Sequence, residues 1–201
     1  MPEFLEETAV ETWEEFRDLD EDVMLVGPYG DDEDLDIDFV FATALEDRLG
    51  DLAYEMGCSV DDLGDKAIEI SETPAMVHLD DVSLHAVEDV GVIALTDGSD
   101  IVGLYTGHSL AVRDDCQKRG IGKALVVCGM VLSGENGVWN LDTPSYSPYG
   151  EACFRSATYA LNRIAQYALT GEGTLPRGFE DWAEPLDAFR EKRNTSEMEM
   201  I

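Results

Sequence analysis

Lysine is nearly missing from this chain. Four lysines and nine arginines face 44 acidic residues in a sequence of 201, for a formal net charge of −31. That balance disfavours nucleic-acid contact through the acidic surface, because phosphate backbones are held by cations. Long apolar runs are also missing: nothing approaches the roughly 18–20 residues that a membrane span needs. The N-terminal stretch "MPEFLEETAVETWEEF" has neither the basic start nor the apolar core of a secretory signal, so none is expected. Cys58, Cys116, Cys128 and Cys153 show no CxxC spacing and no neighbouring histidine pair. They read as small buried hydrophobes in a reducing compartment, and a cytoplasmic protein is expected. The length suits one domain, or one domain with an appendage, that buries a proper core.

The charge is unevenly spread. Residues 1–100 hold 31 acids and three cations, whereas residues 101–201 hold 13 and ten. An acidic first half would draw a cationic substrate or a basic protein toward it; as a bland alternative, it is a solvated face that maintains solubility. The boundaries expected are an acidic N-terminal portion (1–89), a core (90–170) and a C-terminal tail (171–201). Residues 4–18 read as an amphipathic helix, 22–27 as a short strand, 30–38 as an acidic loop, 39–56 as a helix closed by Gly57, and 59–70 as a shorter helix capped by Ser59. From residue 90 the texture changes to β-formers broken at Asp97-Gly98, a hairpin signal, and strands are expected over about 90–96, 100–106 and 108–112. A helix should follow over 120–133, with Ile121, Ala124, Leu125, Cys128 and Leu132 on its buried face. A strand over 137–143 and a helix opened by Ser147-Pro148 and ended before Gly171 complete the core. The tail is expected to dock around Phe179 and Trp182 and then fray.

The segment "LAVRDDCQKRGIGKALVVCG" (110–129) breaks the acidic pattern. Arg113, Lys118, Arg119 and Lys123 place four of the 13 cations within eleven residues. Glycines let backbone amides approach a ligand, and a helix start adds unsatisfied N–H groups and the positive end of a dipole. Strand, Gly120 and Gly122, then helix is therefore a cradle for pyrophosphate. It is neither a dinucleotide fingerprint, since Leu125 stands where a third glycine belongs, nor a P-loop.

This stretch resembles the acetyl-CoA motif of the GCN5-related N-acetyltransferases, Q/R-x-x-G-x-G/A, which stands here as Gln117-Lys118-Arg119-Gly120-Ile121-Gly122 after Leu110-Ala111-Val112. The likeness covers roughly residues 90–170, and "SYSPYGEACFRSATYALNRIAQYALTGEG" is similar to a variant in phage and mobile-element domains of that superfamily. It departs from the family pattern in two places: residues 1–89 carry no clear β1–α1–α2 pattern, and no Gly-Phe follows Ala152 and Tyr159. The resemblance implies an α/β fold with a mixed, mostly antiparallel sheet of six or seven strands flanked by helices. It implies an N-acetyltransferase moving acetyl from acetyl-CoA to an amine, with no metal. Leu110, Ala111 and Val112 would pair with the pantetheine like an added strand. Amides of Lys118, Arg119, Gly120, Ile121, Gly122 and Lys123 would hold the pyrophosphate, and Arg119 or Lys118 would approach the 3′-phosphate.

Attack by a neutral amine needs a base, and the departing thiolate needs an acid. For the acid the resemblance points to Tyr149 or Tyr159, with Tyr146 third. For the base, no glutamate stands before "LAV"; His108, with Thr106 on the same strand parity, is the candidate. His78 and His85, with Asp80 and Asp81 between, lack a clear third metal ligand, and Cys116 beside the cations is not needed as a covalent carrier. Six acids in 30–38 would favour a small cationic amine or a lysine-rich protein as acceptor. The alternative is a non-catalytic acidic binding or inhibitor protein on the same scaffold.

Overall fold

The computed structural model describes residues 4–19, 45–96, 100–106, 109–134 and 148–199. The expected strands at 22–27 and 137–143 and the acidic loop at 30–38 lie outside these residues.

Two short helices, α1 (Phe4–Glu7) and α2 (Val10–Arg17), take the place of the single helix expected over 4–18. The Thr8 hydroxyl donates to Phe4 O at 2.9 Å, and Ala9 is extended, so the chain turns between them. Helix α3 (Leu45–Glu55) ends at Gly57 with φ 65°. A 3₁₀ turn (Val60–Asp62) leads into α4 (Leu63–Ser71), and Asp62 accepts from both the amide and the hydroxyl of Ser59.

Five strands follow: β1 (Val77–Leu79), β2 (Val82–Val87), β3 (Gly91–Thr96), β4 (Asp100–Tyr105) and β5 (Leu110–Val112). They form a meander in the order β1-β2-β3-β4-β5, every pair antiparallel. The mixed sheet of six or seven strands is thus five antiparallel strands among the described residues, in an α/β fold. The β1–β2 hairpin was not foreseen. Among the described residues, α1 to α4 precede the five strands, and β2 enters β3 directly through residues 88–90.

Both sheet faces are covered. Val92 and Ala94 face one cluster with α2 and the later helices, whereas Ile93 and Leu95 face another with α3 and α4. This explains why β3 reads as a continuous apolar run rather than an alternation. Helix α5 (Ile121–Ser133) packs on the sheet, and α6 (Pro148–Thr170) covers α5. The tail does more than dock. After a 3₁₀ turn (Glu180–Trp182), α7 (Ala183–Glu199) continues, and Phe179, Trp182 and Leu186 are fully buried. The Trp182 indole N–H donates to Met76 O at 2.7 Å, tying the tail to the start of β1.

Candidate functional site

The segment singled out in the sequence follows β5, the last strand of the sheet among the described residues. Bonds from Thr106 N–H to Ser109 O (3.1 Å) and from Arg113 N–H to Val102 O (2.9 Å) bracket the β4–β5 ladder. By the alternation of an antiparallel pair, Ala111 turns its amide and carbonyl toward β4, while Leu110 and Val112 turn theirs away. Beyond β5 no further strand pairs among the described residues, so those groups line an edge of roughly 10 Å.

After β5 a 3₁₀ turn (Asp114–Cys116) reverses the chain. The Gln117 side chain donates to Val112 O (3.2 Å) and Asp114 Oδ1 (2.8 Å), so it fastens the loop to the edge strand. Lys118 has φ 61°, and Gly120 caps α5 with φ 91°. A side chain at Gly120 would meet nothing within 4 Å, so the helix mouth is open there. A capping glycine also leaves the first-turn amides of Ile121, Gly122 and Lys123 without a side-chain acceptor. Helices α2, α3, α4 and α7 carry acids in their first turns; α5 has none, and Lys123 instead.

The cations around this mouth come from three parts of the chain. Lys123 is half-buried on α5, and Arg163 on α6 and Arg177 in the following loop are close enough to act on it. Burial, reinforced by Arg163 and then Arg177, holds the Lys123 ammonium below its ordinary value, with Cys153 and Glu180 acting oppositely. The Arg163 guanidinium donates to Thr174 O and to Thr174 Oγ1 (2.7 Å) and lies over the Tyr159 ring, 5.9 Å from its centroid. Two adjacent aspartates at the β1–β2 turn hold the remaining arginines: Arg119 pairs with Asp81, and Arg177 with Asp80 at 3.1 Å.

Pairing is uneven in an informative way. Arg17, Arg48, Lys66, Arg113, Arg119, Arg177 and Arg190 each have a carboxylate partner. Lys118, Lys123 and Arg163 form no ion pair with a described carboxylate, and all three belong to the α5 mouth or its wall.

The sequence-derived candidates divide accordingly. Leu110 to Val112 and Gln117 to Lys123 are joined by the Gln117–Val112 hydrogen bond, with Ala111 and Ile121 buried and the others partly or fully exposed. Arg119, put forward for a 3′-phosphate, is engaged with Asp81. Tyr159 is 59% exposed and stacks with Arg163. His108 lies outside the described residues, as do Tyr146 and the side chain of Tyr149. Cys116 is buried, and that burial pushes its thiol up, so it is not an activated nucleophile. His78 is exposed; His85 is buried and bonded to Thr73 and Ser83, and no group of three potential metal ligands forms among the described residues.

Sequence reasoning missed Arg163 and Arg177, and it named Asp80, Asp81 and Cys153 without connecting them to this mouth. The Cys153 Sγ atom would stand 3.0 Å from a Cβ at Gly122, and its burial pushes the thiol up to about 12. None of these residues belongs to a local motif; only their scarcity as cations marked the arginines. A separate concavity of about 350 Å³ lies by the start of β5, lined by Val87, Tyr105, Thr106 and Leu132, with Glu88 and Asp89 exposed at its rim. No family model, curated protein or solved structure matches this chain.

Proposed function

We propose that the protein is an N-acetyltransferase of the GCN5-related kind, binding acetyl-CoA along β5 and the α5 mouth and acetylating an amine. The observation that carries the reading is the contiguity of an edge strand, an acid-free helix mouth capped by Gly120, and cations lacking carboxylate partners. An edge strand accepts an extended amide-bearing chain by main-chain hydrogen bonds. The helix mouth suits a diphosphate, because its amides and dipole favour negative charge.

In this reading the diphosphate sits over residues 118–123 and the pantetheine follows the outward groups of Leu110 and the amide of Val112, whose carbonyl already accepts from Gln117. The thioester then lies toward Ser109 and Tyr105, where the 350 Å³ concavity begins. Glu88 and Asp89 at its rim favour a cationic amine. The amine nitrogen bonds to the acetyl carbonyl carbon, the C–S bond breaks, and the thiolate leaves. A base, His108 or water at Thr106, removes the ammonium proton; an acid supplies one to sulfur. Tyr149 and Tyr159 are the candidates for that acid; Tyr159 lines no part of the concavity and lies against Arg163, whose guanidinium is 5.9 Å from its ring centroid. Much of the acceleration comes from holding the reactants together.

Replacing Gly120 by Val tests the reading. A β-branched side chain at φ 91° is strained, at about 1–3 kcal/mol, and fills the open mouth. Calorimetric titration with CoA should lose at least tenfold in affinity while circular dichroism stays native. Wild-type protein should release CoA from acetyl-CoA when given a panel of amines. Undetectable CoA binding, or an unchanged affinity in the variant, refutes the proposal; binding without turnover on any amine would favour the non-catalytic alternative.

A further inference from the structure

Helix α5 ends on the concavity of about 350 Å³, whose lining includes Gly129, Leu132 and Ser133. The last turn of α5 carries no basic residue, its final carbonyls lack intrahelical partners, and the helix dipole is negative there. The β2–β3 turn brings Glu88 and Asp89 to the rim, both exposed and neither in an ion pair with a described residue. The Ser133 hydroxyl donates to Gly129 O at 2.9 Å, so toward a ligand its oxygen only accepts. No lysine, arginine or histidine lines the space. The remaining walls are mostly apolar, with Val87, Tyr105 and Leu132 the largest contributors in side chain.

A rim of acceptors calls for a ligand with donors and positive charge, and an apolar wall calls for a hydrocarbon body. We infer that the concavity binds a small organic amine with one ammonium and an apolar body. The nitrogen lies by Glu88, Asp89 and the last carbonyls of α5, and the body lies against Val87, Tyr105 and Leu132. The volume is at the small end of ligand pockets, so the occupant is a small molecule. A polyamine fits worse, because its second ammonium would be desolvated against Val87 and Leu132 without a partner. The net charge of −31 attracts any cation to the protein, but that field selects neither an apolar body nor this place. That such an amine is the acetyl acceptor rests on the acyl-CoA reading; that the concavity holds it does not. With both sites filled, α5 would have an anion at its first turn and a cation at its last, each at the end of the dipole that favours it.

Calorimetric titration without CoA compares three probes: 2-phenylethylamine, its uncharged isostere 2-phenylethanol, and putrescine, which has two charges and no apolar end. The wild type should bind 2-phenylethylamine at least tenfold more tightly than either of the others. Glu88→Gln together with Asp89→Asn keeps the turn, since asparagine tolerates the φ of 60° at position 89. It should weaken 2-phenylethylamine about tenfold, as the loss of charge-assisted contacts requires. Leu132→Lys places an ammonium of the protein's own at the rim. The position is 37% exposed and a helix C-terminus favours a cation, so the fold is kept while 2-phenylethylamine should lose at least tenfold. Undetectable binding of 2-phenylethylamine, equal affinity for the alcohol, or an affinity unchanged in both variants overturns the site. An unchanged affinity would assign the binding to the general charge, of which the double variant removes only two acids. CoA is titrated separately. Amine binding without CoA binding would remove the acyl-CoA reading and leave this site standing, and CoA binding without amine binding would do the reverse.

Discussion

Gly129 lies in the interior of α5, where glycine costs about 1 kcal/mol relative to alanine by helix propensity alone. Propensity therefore says that Gly129→Ala stabilises; the structure says the opposite. A Cβ at this position would lie 2.3 Å from Tyr105 Cδ1 and 2.4 Å from Cε1, where carbon atoms normally rest at about 3.5–4.0 Å. The ring would have to retreat by more than an ångström. It is only 3% exposed and packs edge-on against Phe154 of α6 with centroids 6.3 Å apart, so the ring can retreat only by giving up that packing and moving toward the concavity it lines. Overpacking of this kind costs about 1–3 kcal/mol, and a displaced aromatic ring belongs at the upper end. Subtracting the propensity gain leaves a net loss of about 2 kcal/mol, or roughly 4–8 °C in Tm for a chain of this length.

Urea denaturation of Gly129→Ala, Tyr105→Leu and the double variant measures it. Removing the ring should recover about 1–2 kcal/mol of coupling energy in the cycle. An alanine variant as stable as the wild type, or strictly additive substitutions, would refute the reasoning. The consequence reaches the site, because Gly129 lets α5 lie close on β4, and the other end of α5 is the mouth beside β5.

Two further outcomes follow from local geometry. Burial holds the His85 imidazole below its ordinary value, with the His78 charge adding to it. Its contribution to stability is therefore fully present above the unfolded value of about 6.5 and lost as pH falls through the lower folded value. The urea midpoint of His85→Asn should accordingly change less between pH 7.5 and 5.5 than that of the wild type; equal changes would show that His85 does not titrate differently on folding. At Gly122, an added methyl would stand 3.0 Å from Cys153 Sγ. Gly122→Ala should lose about 1 kcal/mol and regain most of it when combined with Cys153→Ala, and a purely additive pair would place the strain elsewhere.

What could be read in the sequence was local, and what could not was long-range. Strands β3, β4 and β5 and helix α5 fall close to their expected spans because apolar runs and glycine punctuation encode them directly. The single buried face expected for α5 was too narrow. Val126, Val127 and Met130 are buried with Ile121, Ala124, Leu125 and Cys128, because α6 covers the side turned from the sheet, while Leu132 is 37% exposed. The β1–β2 hairpin escaped notice because three-residue β1 offers little alternation, and Asp80-Asp81 at its turn drew attention as charge. Asp80 adopts φ 55°, a conformation aspartate tolerates, so the same residue that hid the hairpin makes its turn. The tail was expected to fray, yet Trp182, Leu186 and Phe189 recur at helical spacing and anchor α7. In the candidate site, the glycines and Lys123 were legible from one segment. Arg163 and Arg177 were not, since only the packing of α6 and its following loop against α5 brings them there.

The overall charge and the candidate site act over different distances, which explains how an anion site can exist on so acidic a chain. At 0.1 M ionic strength, exposed charges beyond about 10 Å are largely screened, so most of the −31 is weak at the α5 mouth. What remains is local: Asp80 and Asp81 are spent on Arg177 and Arg119, whereas Lys118, Lys123 and Arg163 have no described carboxylate partner. Exposed ion pairs contribute little to stability, so pairing most cations does not explain the fold. In a chain with this surplus of acid, a nearby carboxylate is the ordinary fate of a cation. Three that escape it at one helix mouth, one of them half-buried and repelled by its neighbours, form a local arrangement that an anionic ligand would complete.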